Sequence, residues 1–469
     1  MKPIYSVLGI ATMTFLITSC VGAKKYKQEE LNLPVTFRQE LEVTSDSVQL
    51  PWKRFFRDEQ LVVLIEKALE NNNDIHMALK NMEQVDLAFR QAKLGLLPTL
   101  DFAAGASRNY GSKNAMSSQM AEQFASKSYV DDFSSSLKLT WEVDIWGKTK
   151  LQKQVAQADY FAQAENLLAL KTRIIVQVVQ AYYNLVSLDE QLEIAKENIA
   201  LSETTLQMMQ LQYEAGQVNS LAIEQTKAQK KTAELLVPLV NQNIAIQENA
   251  LSILCGKYTA QIDRTTGLQN IVQEEVLTLG VPAQLISRRP DVKAAEHAVV
   301  ANHSKIGLAK VAMYPSISIS PQIGTNAAKF NDWFDLSNAL TKTLVGNLTA
   351  PIFHKRALQT AYKTAVLEEE KTRIQFKQVV LNAVGEVSDE LAKYKAATER
   401  LALMQEKAAS LEKATADALK LYQSGMATYL EVITAQNNSL QNALDKSTTE
   451  MEKLNASVGL YRALGGGVE

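Results

Sequence analysis

The sequence predicts a mainly α protein with a β portion, built from two copies of one unit. Each unit combines two segments of alternating polarity with a very long helical pattern. The first long pattern reaches Tyr213-Glu-Ala-Gly216, and the second reaches Tyr422-Gln-Ser-Gly425, roughly 210 residues later. Two copies of strand, strand and long helix suit the wall of a tube better than one globular domain.

The N-terminus has the pattern of an export signal, with Lys2 before an apolar run and small residues just before Cys20. The apolar run is too short, and a lysine pair follows it too closely, for a membrane-spanning helix. Small residues before a cysteine resemble a lipobox, which implies cleavage of residues 1–19 and acylation of Cys20. An ordinary signal peptide with an incidental cysteine is the alternative. Residues 20–57 are then predicted to form an acylated, extended strap.

Composition argues against several function classes. Without residues 1–19 the chain carries 48 basic and 51 acidic side chains, a net charge of −3, so nothing indicates nucleic-acid binding. Beyond Cys20 the chain has only Cys255, so no intrachain disulfide is expected. The four histidines lack metal-ligand spacing, and neither a phosphate-binding loop nor a convergent set of titratable residues is visible. We therefore predict no enzyme, no metal and no cofactor.

Periodicity sets the domain boundaries. Residues 58–97 show helical spacing on both sides of Asn71-Asn72-Asn73, which predicts a helical pair that ends before Pro98. The rest of the chain divides into strand segments 98–147 and 315–355, long helical hairpins 148–256 and 356–464, an equatorial linker 257–284, a helix 285–314 and a disordered tail 465–469.

The strand segments change the period from 3.6 to 2. In the second segment, one face carries Leu137, Leu139, Trp141, Val143 and Ile145, and polar residues occupy the other face. One face therefore suits lipid or a core, and the other suits water. The edge of a soluble sandwich is the alternative interpretation.

The number of strands indicates a shared barrel. Four predicted strands cannot close alone, because small barrels need about eight. Open strand edges are not tolerated in hydrocarbon. Three copies would supply about twelve strands, whereas two copies would leave little lumen. We therefore predict a trimer.

Four segments, in order over about residues 50–464, carry a family resemblance. They are Arg289-Pro290-Asp291-Val292 at the start of the second repeat, Trp141-Glu-Val-Asp144-Ile-Trp-Gly147 at a strand-to-helix passage, and Leu348-Thr-Ala-Pro-Ile-Phe353 at its counterpart. The fourth is the pair of tip motifs, Tyr213-x-x-Gly216 and Tyr422-x-x-Gly425, the latter followed by Tyr429-Leu-Glu-Val-Ile-Thr-Ala-Gln436. Together they resemble the TolC-like family of outer-membrane efflux proteins. The resemblance is narrower to the lipoprotein branch, the NodT-like and OprM-like outer membrane factors of tripartite efflux systems.

The resemblance implies a homotrimer with a twelve-stranded β-barrel in the outer membrane of a Gram-negative bacterium, joined to a twelve-helix periplasmic α-barrel. It implies a passive exit duct for small molecules such as drugs, anchored in lipid through acylated Cys20. The implied partners are a periplasmic membrane-fusion adaptor and an inner-membrane RND-type transporter. A type I protein-secretion duct and a periplasmic tethering lipoprotein without a pore are the alternatives.

The resemblance also assigns residues at the tips of the hairpins. Glu431 is expected to face the lumen, where three copies would form a carboxylate ring that raises its own pKa, with Thr434 one turn further. A solvated surface position is the alternative for Glu431. The other hairpin carries Glu224, while Ala222 takes a position that is acidic in some relatives. The predicted adaptor contacts are Gly216, Gln217, Val218, Gly425, Met426 and Ala427.

Tyr213 and Tyr422 are expected to hydrogen-bond between neighbouring tips, or else to pack their rings against the adjacent helix. A structural role is predicted for the signature residues Arg289, Pro290 and Asp291. Pro290 would open a helix, Asp291 would favour the N-terminal end of its dipole, and Arg289 would pair across the repeat interface. The other signature residues are Trp141, Asp144 and Gly147.

Overall fold

The computed structural model describes residues 51–112, 116, 129–264, 267–271 and 283–466. The predicted signal peptide, the lipidation site Cys20, most of the strap 20–57 and the end of the tail 465–469 lie outside the described residues. The chain divides into two compact units. Unit 1 comprises the described residues within 84–161 and 297–374, and unit 2 those within 51–83, 162–296 and 375–466.

The helices follow a two-repeat plan. In chain order they are α1 (Trp52–Phe55), α2 (Glu59–Asn71), α3 (Asn73–Leu94), α4 (Lys148–Glu214), α5 (Ser220–Leu254), α6 (Pro290–Val311), α7 (Ala357–Gln423) and α8 (Tyr429–Ala463), with short 3₁₀ turns at Leu268–Asn270, Ala283–Arg288 and Phe330–Asp332. α4 and α7 each have 67 residues, and α5 and α8 each have 35. α7 starts at Ala357, 209 residues after α4 starts at Lys148. The hairpins of the two repeats therefore match in length residue for residue.

Unit 1 contains an antiparallel sheet. Its strands are β1 (Thr99–Asn109), β2 (Val130–Val143), β3 (Ser316–Ala327) and β4 (Leu340–Thr349), in the spatial order β1-β2-β3-β4. The registers place Phe102 opposite Leu137 and Leu137 opposite Ile323. Residues opposite each other in a ladder lie on the same face, so an apolar face continues across the strands.

This apolar face is solvent-exposed in the single protomer. Phe102 is 72% exposed and Leu344 is 75% exposed. β1 and β4 each pair with one neighbour in the described sheet, so two edges carry unpaired backbone groups. An exposed apolar face and two open edges are a surface that requires covering.

Among the described residues, no helix is both long enough and apolar enough to cross a bilayer.

One predicted boundary is wrong. The sequence suggested an extended strap through residue 57, but residues 52–55 form the helical turn α1. Phe55 and Phe56 are buried, and the Phe55 ring stacks on Tyr461 with 4.4 Å between centroids. Burying these aromatic rings stabilises a local helix in a segment whose polar composition suggested none.

The two helices of the predicted pair meet at Asn72, whose side chain bonds backbone groups at the start of α3 and at the end of α5. Its amide nitrogen donates to the Leu254 carbonyl oxygen at 2.9 Å, and its amide oxygen accepts from the N–H groups of Asp74 and Ile75. Asn72 therefore ends α2, caps α3 and ties both helices to the end of α5.

Candidate functional site at the hairpin tips

Both hairpins turn with the same backbone geometry in unit 2. Gly216 and Gly425 have φ of 72° and 74°, a region that favours glycine. The N–H of Gln217 donates to the Gln212 carbonyl at 2.8 Å, and that of Met426 donates to the Leu421 carbonyl at 2.9 Å. These are Schellman-type helix ends, so each long helix is terminated by its own glycine.

The two tips begin their return helices differently. At the start of α5, the side chain of Asn219 accepts from the Ala222 N–H at 3.1 Å. At the start of α8, Thr428 and Glu431 form a capping box, in which the Glu431 carboxylate accepts from the Thr428 N–H and hydroxyl, each at 2.5 Å. The residue that corresponds to Glu431 in the first repeat is Ala222, which cannot complete such a box.

Glu431 is exposed, and its carboxylate is committed to the helix cap. Hydrogen bonds from the Thr428 hydroxyl and backbone N–H hold the pKa of the Glu431 carboxyl below its usual value. The predicted rise in pKa depends on neighbouring carboxylates from three copies, and so it stays a prediction. Within one protomer the shift has the opposite sign.

A buried cluster joins all four hairpin helices near the tips. Met209 of α4, Ile223 of α5, and Tyr429 and Val432 of α8 form its core, and Leu419 of α7 packs against them. The cluster fastens the first hairpin to the second. Any rotation of one hairpin against the other has to disturb this contact.

Tyr422 links the two hairpins within the protomer. Its hydroxyl donates to Gln212 Oε1 at 2.5 Å and lies 3.3 Å from the Met209 sulfur. Its ring meets the Tyr429 ring edge-on with 5.8 Å between centroids, and burial raises the pKa of both tyrosines. The hydrogen-bond role predicted for Tyr422 is thus filled inside one protomer, while Tyr213 is half exposed.

The other predicted tip residues lie at the surface. Thr434 is exposed and donates to the Leu430 carbonyl of its own helix at 2.8 Å. Glu224 is exposed and pairs with Lys227 at 2.8 Å. The predicted adaptor contacts Gly216, Gln217, Gly425 and Met426 are exposed, whereas Val218 and Ala427 are partly buried.

Polar contacts join the hairpins further from the tips. Gln436 donates to Thr205 Oγ1 at 3.4 Å, the hydroxyls of Ser187 and Ser447 lie 3.3 Å apart, and Asn455 donates to Asn184 Oδ1 at 3.3 Å. These contacts lie between α4 and α8. The contacts between these two helices therefore include polar pairs along the shafts, besides the apolar cluster at the tips.

Arg289 and Asp291 lie at the start of α6, where Pro290 takes the first helical position. The buried guanidinium of Arg289 donates to Asp291, to Glu386 at 2.8 Å and to the Ala463 carbonyl at 3.2 Å. Against the cost of burial, these partners raise the pKa of Arg289, and Arg289 lowers that of Asp291. Pairing across the repeat interface was wrong, because Glu386 and Ala463 belong to the same repeat as Arg289.

Trp141, Asp144 and Gly147 form the turn from β2 into α4, in unit 1. Trp141 Nε1 donates to the Leu96 carbonyl at 3.1 Å. Asp144 accepts from the N–H groups of Thr149 and Lys150, each at 3.2 Å, and Gly147 has φ of 75°. The motif is a capped strand-to-helix turn.

Sequence reasoning missed the tip cluster. Met209 and Ile223 were not singled out, and Tyr429 and Val432 were noted only as part of a tip motif, although these two have the i, i+3 spacing of one helix face. That spacing indicates that the two residues share one face of a helix, but it does not indicate which other helices pack against that face. In the described part of the chain, no group of histidine, cysteine and acidic residues could hold a metal ion.

Comparison with known proteins gives a consistent result. A family model described as outer membrane efflux protein matches residues 64–257 and 281–466. The chain is similar to cation efflux system protein CusC of Escherichia coli O6:H1, with 28% identity over 458 residues that cover 96% of each chain. It is also similar to the probable outer membrane lipoprotein SilC of Salmonella typhimurium, with 27% identity over 473 residues that cover 98% of each chain.

A crystal structure of CusC has a similar fold, with a TM-score of 0.84 at 25% identity, covering 95% of this chain and 100% of that chain. This likeness confirms the predicted fold class, a mainly helical two-repeat protein with a β-barrel portion.

Proposed function

Because the chain belongs to the outer membrane efflux protein family, we propose that three copies of it form a passive exit duct that is closed at the hairpin tips. The protein is an outer-membrane channel component of an efflux system. The assembly state, the gate residues, the partners and the lipid anchor are the parts that we propose.

The main observation in support of a trimer is the four-stranded sheet, which has two open edges and an exposed apolar face. In hydrocarbon every backbone polar group needs a partner, so the edges of β1 and β4 have to be paired. Pairing β4 of one copy with β1 of the next closes a barrel of twelve strands when three copies join. The exposed apolar face then meets lipid.

The proposed gate lies at the tips, where four helices converge on the cluster around Tyr429 and Val432. In a trimer, three copies of Glu431 would form a carboxylate ring and three copies of Thr434 a polar ring. Such a ring favours cations over anions. Opening would separate the hairpins, so the cluster and the Tyr422–Gln212 hydrogen bond favour the closed state.

The proposed partners are a periplasmic membrane-fusion adaptor and an inner-membrane RND-type transporter. The tip residues Gln217 and Met426 are exposed and lie at the turns, which makes them candidates for adaptor contact. Anchoring of the protein in the outer membrane through acylated Cys20, with the long helices in the periplasm, completes the proposal. The cargo is proposed to be small toxic compounds, and metal cations are the first class to test because CusC is named for cation efflux.

The first test is the mass of the detergent-extracted protein from an outer-membrane fraction, followed by conductance in planar bilayers. A trimer that conducts weakly, with conductance or cation selectivity altered by Glu431→Ala, is expected. A stable monomer, or a protein released into water when the lipid is removed, would overturn the channel assembly. A conducting trimer whose conductance and cation selectivity are unchanged by Glu431→Ala would overturn only the gate assignment.

A further inference from the structure

The two strand-to-helix junctions occupy corresponding positions but have different chemistry. The first junction is residues 141–147 and the second is residues 350–356, displaced by the same 209 residues as the helices that follow. Gly147 corresponds to Arg356, and both have left-handed backbones, with φ of 75° and 63°. Asp144 corresponds to Phe353.

Several polar side chains of the first junction form hydrogen bonds or ion pairs with neighbouring residues. Asp144 accepts from two backbone N–H groups of α4, and Lys148 pairs with Glu142 at 2.9 Å. Trp146 Nε1 donates to the Pro315 carbonyl at 2.6 Å. Little of its polar capacity is left for a ligand.

The second junction presents its side chains outward. Ile352 is 96% exposed and Phe353 is 80% exposed. Among the described residues, the side chains of His354, Lys355 and Arg356 form no hydrogen bond or ion pair. Two large apolar side chains thus stand next to three basic residues, and none of the five has a partner in the described chain.

The chain segment of the second junction carries charge of one sign. Residues 350–367 contain no aspartate or glutamate, and they contain Lys355, Arg356 and Lys363. The first turn of α7 likewise has no acidic residue. A surface of this kind is complementary to an anionic partner.

In the chain, the junction follows directly on a strand with exposed apolar residues. Leu344 and Leu348 of β4 are exposed at 75% and 71%, and the chain passes from them to Ile352 and Phe353. β4 ends at Thr349, opposite Ser316 at the start of β3, so the junction lies at the end of the sheet where the strands meet the helices. Apolar side chains followed by lysine and arginine are typical of the membrane–water interface.

We propose that the second junction is a lipid anchor, in which Ile352 and Phe353 insert into the periplasmic leaflet and Lys355 and Arg356, with His354, bind the phosphates of anionic phospholipids. The inference rests on the proposed placement of the strands in the outer membrane. The guanidinium of Arg356 binds phosphate oxygens in bidentate fashion, and the Lys355 ammonium adds a point charge. Anionic lipid attracts each such charge near the surface.

Insertion is tested with Phe353→Trp in the full chain, reconstituted with brominated phosphatidylcholine. After subtraction of the signal of the four native tryptophans, the added tryptophan should be quenched strongly. The matched control is Tyr258→Trp, since Tyr258 is 98% exposed in the linker after α5, and it should be quenched little. Equal quenching at both positions, or protection of the tryptophan introduced at position 353 by contact with a neighbouring copy, would overturn lipid insertion.

Headgroup binding is tested in mixed micelles of phosphatidylglycerol or phosphatidylcholine. The double variant Lys355→Gln with Arg356→Gly removes both charges and suits the left-handed backbone at 356. It should weaken phosphatidylglycerol binding by about tenfold or more, whereas Lys148→Gln with Lys150→Gln in the first turn of α4, directly after the first junction, should change it little. Equal affinity of the unaltered protein for both lipids, or an equal response to inorganic phosphate alone, would contradict the anchor.

The same samples separate this inference from the channel proposal. A variant that loses lipid binding but still assembles and conducts affects only the anchor. An unaltered protein that neither inserts nor conducts would defeat the proposed function itself.

Discussion

The two repeats share their framework and differ at its ends. Their long helices have 67 residues each, their return helices have 35 each, and both tips turn at a left-handed glycine. At the tips, however, the second repeat has Tyr429 and Glu431 where the first has Ser220 and Ala222. Tyr422 joins the hairpins by a hydrogen bond, whereas Tyr213 is half exposed.

This difference shows that the two repeats share helix length and turn geometry, whereas they contribute different residues to the contacts that hold the tips together. Hairpins of equal length are needed if both are to end at the same level. Caps and cluster residues act locally and can differ. The proposed gate is therefore asymmetric within each protomer, and paired variants at corresponding positions test that asymmetry.

The largest effect is expected from Tyr429→Ala, paired with Ser220→Ala as its control. Loss of the buried ring should reduce the local opening free energy of the tips by about 3 kcal/mol, because a large buried side chain leaves a cavity. Hydrogen exchange at the start of α8 measures this loss, and conductance in bilayers should rise. Ser220→Ala should leave both unchanged, and equal effects of the two variants would remove the asymmetry.

Gly425→Ala and Gly216→Ala should each cost about 1–2 kcal/mol, because a Cβ is disfavoured in the left-handed region. No atom lies within 4 Å of a Cβ built at either position, so backbone conformation alone sets the cost. Exchange of the amides in each turn should therefore show matching losses. Clearly unequal losses would mean that the two turns are not equivalent.

Tyr422→Phe should weaken the joint between hairpins by about 1 kcal/mol, the net value of one hydrogen bond. The ring stays in place against Tyr429, so the fold is retained. More frequent channel openings are expected for this variant, while Tyr213→Phe should behave as the unaltered protein. If Tyr213→Phe opened the channel as much, contacts between neighbouring protomers would have to be responsible.

The smallest effect is expected at the capping box. The pKa of Glu431 is lowered in the folded protein, so its contribution is present above the ordinary glutamate value of about 4.3 and is lost as the pH falls through the lowered pKa. Protection of the first α8 amides should decline on acidification, and Glu431→Gln should make it independent of pH in that range. Ala222→Glu should confer the same acid-sensitive protection on α5. If protection of these amides instead declined as the pH rose above the ordinary glutamate pKa, repulsion within the trimer's carboxylate ring would outweigh the capping box.

Sequence patterns predicted most of the framework because they depend on local rules. The 67-residue stretch of α4 without glycine or proline, the glycines at the tips and the alternation in the strands each act through neighbouring residues. The strap was wrong at residues 52–55, because its helical turn depends on burial against Tyr461, which lies more than 400 residues away in the chain. Local composition contains no sign of such a partner.

The candidate site was predicted only in part for the same reason. The resemblance indicated which residues lie at the tips, and the structure places Glu431 in a cap and Tyr422 in a bond to Gln212. Arg289 was expected to pair across the repeat interface, but its partners Glu386 and Ala463 lie in its own repeat, because the sequence does not specify where in space an oppositely charged group lies.

The sequence by itself determined the repeat, the helix lengths, the turn glycines and the strand faces, because each follows from periodicity or from the backbone preference of a single residue. Only the tertiary structure decided which faces meet. The cluster at Met209, Ile223, Tyr429 and Val432, and the exposure of Ile352 and Phe353, arise from contacts made or left unmade between distant segments. Burial is a property of packing, and a single chain position does not specify it.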